Sequence, residues 1–131
     1  MFRLSKKTDY CLMALKHILS KQNEPSSARE ISEAYDIPFE VLAKLLQTLA
    51  RKGILVSQHG TKGGYSSARS PGSITLREVM EAIEGPVALV NCAGPGKRPC
   101  GQEKKCRVSR PLVKLNKKVV EVLGRMTLGE I

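Results

Sequence analysis

The stretch Pro38-Phe39-Glu40-Val41-Leu42-Ala43-Lys44-Leu45-Leu46-Gln47-Thr48-Leu49-Ala50-Arg51-Lys52-Gly53 decides the fold. Leu42, Leu45, Leu46 and Leu49 recur at i, i+3, i+4 and i+7, the spacing of one face of an α-helix. Pro38 suits its first turn and Gly53 its stop. Just upstream, Ser27-Ala28-Arg29-Glu30 reads as a capping box, in which the serine hydroxyl and the glutamate side chain satisfy amides of the first turn; it opens a short helix ending near Tyr35. Two short helices separated by so tight a turn are the helix-turn-helix pattern. The outward side of the second helix presents Glu40, Ala43, Lys44, Gln47, Thr48 and Arg51, an amide, a methyl and cations suited to base edges and phosphates in a major groove. An ordinary amphipathic helix with a wet face has the same pattern, so the neighbouring segments must decide.

Downstream, Ile54-Leu55-Val56-Ser57 and Tyr65-Ser66-Ser67-Ala68 flank Gln58-His59-Gly60-Thr61-Lys62-Gly63-Gly64, which reads as two short strands joined by a glycine-rich loop with a cation near its tip. A hairpin directly after a recognition helix is a wing. Its glycines are expected to let the loop approach a phosphate backbone, with Lys62 supplying charge, although a hairpin that merely closes the sheet explains them too. Upstream, Thr8 to Ser20 forms a first helix with Cys11, Leu15 and Ile18 on one face. Thr75-Leu76-Arg77-Glu78 is a second capping box, opening a helix with Leu76, Val79, Met80 and Ile83 inside and Gly85-Pro86 as its end. The fold class is therefore mainly α with a small β-hairpin. Residues 1–85 form a winged helix-turn-helix domain, 86–107 a cysteine-rich loop, and 108–131 a dimerisation helix with a short tail.

At 131 residues, with 41% apolar and 26% charged side chains, the chain has room for one such domain and an appendage. No stretch approaches the roughly 18 uninterrupted apolar residues of a membrane span. Met1-Phe2-Arg3-Leu4-Ser5-Lys6-Lys7 lacks the apolar core of a secretory signal, so a cytoplasmic location is expected, where four cysteines stay reduced. Net charge is +10, of which residues 1–84 carry +3 and residues 85–131 carry +7. Acid-free runs extend from Val41 to Arg77 and from Lys104 to Val120. This excess favours a polyanionic partner, although a solvated basic surface gives the same count.

Cys92, Cys100 and Cys106 lie within fifteen residues, in a segment broken by Gly94, Pro95, Gly96, Pro99 and Gly101. Core cysteines normally sit on apolar faces of regular elements, so three in one Gly/Pro-rich loop read as ligands. Structural zinc wants four protein ligands, and neither His17 nor His59 lies in this segment. Three thiolates plus a ligand from elsewhere suit an iron–sulfur cluster, with zinc and a thiol redox switch as the alternatives. Cys11, beside Leu15 and Ile18, reads as a buried thiol. His17 and His59 have no distinguishing context. No Ser/His/Asp set, paired acids or phosphate-binding loop can be assembled, so catalysis has no candidate residues and no enzyme is expected.

Beyond the loop, Val108, Leu112, Leu115, Val119, Val122 and Met126 are spaced four, three, four, three, four, a 3.5-residue seam along one helix that tolerates Pro111 only in its first turn. Lys114, Lys117 and Lys118 occupy its other sides. So narrow a stripe is expected to pack on a second copy, making a homodimer whose two recognition helices address a two-fold operator, with packing on its own domain as the alternative.

The opening Met1-Phe2-Arg3-Leu4-Ser5-Lys6-Lys7-Thr8-Asp9-Tyr10, the Leu42-Ala43-Lys44-Leu45-Leu46 helix, the wing Gly60-Thr61-Lys62-Gly63-Gly64-Tyr65 and the three-cysteine loop followed by one long helix resemble the winged-helix iron–sulfur regulators of the IscR and NsrR family, over nearly the whole chain. Ala82-Ile83-Glu84-Gly85-Pro86-Val87-Ala88-Leu89 and Met126-Thr127-Leu128-Gly129-Glu130-Ile131 look most like its SUF-operon branch. The resemblance implies a dimeric repressor whose cluster occupancy alters its fit to operator DNA, so that iron–sulfur status, oxidants or nitric oxide change expression of cluster-assembly genes. It implies Cys92, Cys100 and Cys106 as ligands, a four-iron cubane ahead of a two-iron cluster, and Asp9, aligned with the carboxylate that the NsrR branch supplies from the partner subunit, as the fourth ligand. A favourable charge at the positive end of the first helix is the plainer role for Asp9. Two departures bear on the loop path and the fourth ligand: the Cys92–Cys100 spacing is longer than the family commonly has, and no histidine follows Cys106 as in the IscR branch. The expected DNA-contacting set is Ser27, Arg29, Glu40, Lys44, Gln47, Arg51, Lys62 and Tyr65. A zinc-stabilised DNA-binding protein without sensing, and a cluster carrier that retains the winged fold, are the rival functions.

Overall fold

A computed structural model describes residues 3–21, 24–60, 63–90, 92–93, 101 and 105–131. The first helix, α1 (Lys6–Ser20), starts ahead of Thr8 because Ser5 is its cap, accepting the Thr8 amide at 3.2 Å. Thr8, Cys11, Ala14, Leu15 and Ile18 form its buried stripe. Helices α2 (Ala28–Tyr35) and α3 (Phe39–Arg51) are joined by only three residues. Asp36 turns the chain in the left-handed region (φ 53°, ψ 40°), a conformation Asp adopts more readily than most residues. Ile37 is buried beneath the turn, its carbonyl accepting from the Ser32 hydroxyl at 2.6 Å. All four leucines picked out by their spacing, Leu42, Leu45, Leu46 and Leu49, are buried and join α1 and Ile31 in one core. Each such side chain contributes roughly 1.5–3 kcal/mol by leaving water.

The Ser27 capping box is only half made. Ser27 Oγ accepts the Glu30 amide at 3.1 Å, but the Glu30 carboxylate does not return to the cap; it meets His17 Nε2 and Lys21 Nζ, both at 2.7 Å. His17 Nδ1 in turn lies 2.9 Å from Tyr35 Oη, so a histidine with no context in the sequence ties α1 to both ends of α2. Side-chain hydrogen bonds hold Glu30 below the usual carboxylate range, Lys21 contributing most and His17 next. The Thr75 box forms in full, with Glu78 N–H to Thr75 Oγ1 at 3.1 Å and Thr75 N–H to Glu78 Oε1 at 3.4 Å, and it opens α4 (Leu76–Glu84). Leu76 and Val79 are buried in α4, whereas Met80 and Ile83 are half-buried.

The hairpin pairs β1 (Leu55–Gln58) with β2 (Gly64–Ser67) in antiparallel register from Leu55↔Ser67 to Gln58↔Gly64. It starts one residue later than the pattern suggests, because the Ile54 amide closes the α3 terminus on the Leu49 carbonyl at 3.0 Å. A second pairing anchors the wing: Ser26 and Tyr65 exchange backbone hydrogen bonds of 3.0 and 2.8 Å just ahead of α2. Two of the wing glycines also serve the protein's own packing. A Cβ on Gly64 (φ 152°) would stand 2.6 Å from the Ser26 carbonyl group, and one on Gly63 would stand 2.9 Å from the Gln58 carbonyl oxygen. Both positions need glycine for close contacts within the protein itself.

The last helix, α5 (Ser109–Arg125), packs along α4, and the chain after it returns to the winged domain. The Leu76 amide donates to the Met126 carbonyl at 2.8 Å, and the Leu128 amide to the Ile74 carbonyl at 2.9 Å, which buries Leu128. The seam predicted along α5 is largely uncovered within the chain: Val108, Leu115, Val122 and Met126 are exposed, and Leu112 and Val119 are half-buried. Among the described residues no helix is long and apolar enough to cross a membrane.

Candidate nucleic-acid interface and thiolate site

The recognition helix turns Glu40, Lys44, Gln47 and Arg51 to solvent, while Ala43 and Thr48 are half-buried at the edges of that face. Thr48 Oγ1 donates to the Lys44 carbonyl at 3.0 Å and accepts from Arg51 Nη2 at 3.3 Å, so the Arg51 guanidinium is held along the helix surface. Arg29, exposed on α2, places its guanidinium 5.2 Å from the centre of the Phe39 ring. Phe39, itself 43% exposed at the first residue of α3, is a site residue that sequence reading missed. Its position three residues before Leu42 and seven before Leu46 puts it in register with the leucine stripe, so only its exposure separates it from an ordinary core aromatic. A cation stacked on an aromatic face at the entry of a recognition helix is preorganised where groove-reading side chains act.

Ser27 is committed to capping α2 through its hydroxyl. Tyr65 is half-buried against the core, and its backbone is engaged by Ser26. Lys62 lies outside the described residues. The wing and α3 belong to one rigid arrangement, because β1 packs on α3 and β2 on α1.

Cys92 and Cys106 are both half-buried; the Ser109 hydroxyl at the start of α5 donates to Cys92 Sγ at 3.7 Å, and Cys106 precedes Ser109 by three residues in sequence. Soft sulfur donors, partial burial and a hydroxyl donor to sulfur fit a thiolate-ligated iron–sulfur group. Cys100 lies outside the described residues. Asp9 is exposed in the first turn of α1 and does not gather with Cys92 and Cys106; among the described residues no three His, Cys, Asp or Glu side chains come close enough to hold a metal. Cys11 is fully buried, as its helical position implies, and burial, reinforced by the Glu84 carboxylate, pushes its thiol up to about 12.

Against known proteins, residues 4–131 match the family model of Rrf2, iron-dependent transcriptional regulators. The chain is 30% identical over 130 residues to the HTH-type transcriptional regulator IscR of Klebsiella pneumoniae, covering 98% of this chain and 78% of that protein. It is 30% identical over 129 residues to protein aau3 of Rhizobium meliloti, covering 98% and 84%. Its fold superposes on CymR, the global cysteine regulator of B. subtilis, with a TM-score of 0.77 at 24% identity, covering 99% of this chain and 95% of that one.

Proposed function

The chain belongs to the Rrf2 family of iron-dependent transcriptional regulators and is itself a DNA-binding regulator rather than an enzyme, and from that premise we propose that it is a homodimeric repressor whose operator affinity depends on an iron–sulfur cluster. The observation that carries the reading is the Cys92 thiol held by the Ser109 hydroxyl at the start of a helix whose apolar seam is open. In this reading Cys92, Cys100 and Cys106 supply three thiolates and Asp9 of a second copy the fourth ligand, with a four-iron cluster ahead of a two-iron one. When bound, such a cluster supplies a centre that oxidants and nitric oxide attack.

The protein's own residues carry the rest. The seam from Val108 to Met126 joins two copies, which sets the distance between their α3 helices. Lys44, Arg51 and Lys62 neutralise phosphates, Gln47 reads a base edge, and Arg29 and Glu40 flank it. Ser27 and Tyr65 hold α2 and the wing against the duplex. Hydrogen bonds from Leu76 to Met126 and from Leu128 to Ile74 make α5 and the winged domain move together, so a change at the α5 start reaches the DNA-facing helices. Residues 1–85, 86–107 and 108–131 serve as reader, sensor loop and dimer helix, and cluster-assembly genes are the proposed targets.

Anaerobic purification with iron and sulfide analysis tests this directly. A brown protein containing iron and sulfide is expected, losing both in Cys92→Ala, Cys100→Ala and Cys106→Ala and keeping them in Cys11→Ala. Operator binding by the loaded and cluster-free forms should differ. A colourless protein that releases zinc, or equal affinities of the two forms, overturns the sensing reading.

A further inference from the structure

Among the described residues of α5, the one buried side chain is polar: Asn116 is 6% exposed. An amide withdrawn from water is unfavourable unless both of its halves are hydrogen-bonded. Both are, and both partners are backbone groups of the segment that leads to the cysteines. Asn116 Oδ1 accepts the Leu89 amide at 2.7 Å, and Asn116 Nδ2 donates to the Val87 carbonyl at 3.3 Å. Residues two apart present the same edge of an extended chain, so the asparagine side chain serves segment 87–89 as a neighbouring strand would.

The consequence is one of reach. Ser109 precedes Asn116 by seven residues, two helical turns, on the same side of α5 and about 10.5 Å along its axis. Cys92 follows Leu89 by three residues, which span at most about 10 Å. The hydrogen bond from Ser109 to Cys92 Sγ shows that the chain runs from Asn116 back toward the helix start. A turn closed by the Ala93 amide on the Val90 carbonyl at 3.1 Å, with Ala93 buried, holds the far end. Among the described residues between Gly85 and Cys92, no other α5 side chain hydrogen-bonds the segment, so loss of Asn116 removes the polar hold that keeps Cys92 beside Ser109.

We propose that Asn116 is the positioning residue of the thiolate site: it fixes the register of segment 87–89 on α5 and so places Cys92 at the helix start beside Ser109. The inference rests on the reading of Cys92 as a cluster ligand. It makes the dimer helix part of the sensor, since the residue that sets the ligand belongs to the helix that carries the seam.

The test uses the full chain with Asn116→Leu, which keeps volume but removes both hydrogen bonds, and Asn116→Asp, which keeps the acceptor for Leu89 and loses the donor to Val87. Three readouts are taken: hydrogen exchange at the Leu89 amide and alkylation rates of Cys92 and Cys106 in the metal-free protein, and the rate of iron loss in air from the loaded protein. In Asn116→Leu, Leu89 exchange and Cys92 alkylation should each rise roughly tenfold, the consequence of losing two backbone hydrogen bonds, while Cys106 alkylation stays near the parent rate. Iron loss should accelerate, and Asn116→Asp should fall between parent and Asn116→Leu at Leu89. A general loosening would speed Cys92 and Cys106 alike and overturns the proposal, as does parental exchange and alkylation in Asn116→Leu. Should Asn116→Leu fail to fold, Asn116→Asp decides by the same comparison. If the parent itself binds no iron and sulfide, the cluster reading fails on that result, and the metal-free readouts still decide whether Asn116 places Cys92.

Discussion

The winged portion and the last helix solve burial in opposite ways. In α1 and α3, rows of aliphatic side chains, Ala14, Leu15 and Ile18 against Leu42, Leu46 and Leu49, are buried almost completely, and that core is closed within one chain. In α5 the aliphatic row is the exposed one, Val122 being 60% accessible and Leu115 47%, while the buried position is an asparagine. An apolar face contributes to stability only when something covers it, so the first region is complete alone whereas the second leaves its row uncovered within the chain, as the proposed dimer requires. The hydrogen bonds that return residues 126–128 to α4 keep α5 attached to the winged domain without requiring that its seam be covered there.

The contrast can be broken most forcefully in the core. Leu46→Ala removes a fully buried side chain from a packed interior and should cost about 2–5 kcal/mol in urea unfolding followed by circular dichroism. A cost within the range of surface substitutions would show that the winged core is not the self-sufficient part. On the other side, Val122→Glu places charge on the exposed seam and should leave helical content intact while converting the proposed homodimer to monomer in sedimentation. Operator affinity should fall by at least about tenfold, roughly 1.4 kcal/mol, as one half-site contact is lost. A dimer that survives this change would remove the seam from the interface.

The smallest effect sharpens the boundary between α1 and α2. The Glu30 carboxyl is held below its ordinary range by Lys21 and His17, so in the folded chain it gives up its proton more readily than when unfolded. Its pairing therefore stabilises at neutral pH and fades as pH falls through that lowered value. With side chains about one-third exposed, the network contributes only a few tenths of a kcal/mol. Glu30→Gln should lower stability by that amount at pH 7 and by nothing in strong acid; a difference that persists or grows in acid would assign the loss to packing.

Local rules made much of this legible. The leucine spacing of α3, the three-residue turn, the reciprocal Thr75 cap and the paired strands all depend on residues within about a dozen positions of one another, and the structure contains them with shifts of one or two residues. Of the candidate site, the recognition-face residues Glu40, Lys44, Gln47 and Arg51 were readable from the same periodicity and are indeed exposed. Phe39 with Arg29 was not, since their stacking joins two helices.

What the sequence by itself determined, then, was the set of elements and the chemistry of their faces: a helix-turn-helix with a wing, a loop rich in thiols, and a helix with a 3.5-residue seam. Only the tertiary structure decided which partner each versatile group takes. Glu30 can serve either its own cap or His17 and Lys21 at the end of α1, and the proximity of α1 chooses the latter. Gly64 suits an approach to phosphate or to another strand, and the Ser26 pairing chooses the strand. Asn116 carries no periodic signal, because a single amide acquires meaning only when a chain segment twenty-seven residues away in sequence meets it in space. The physical reason is common to all three: hydrophobic periodicity is repeated many times within a helix, whereas the direction of one hydrogen bond is fixed by whatever long-range neighbour folding delivers.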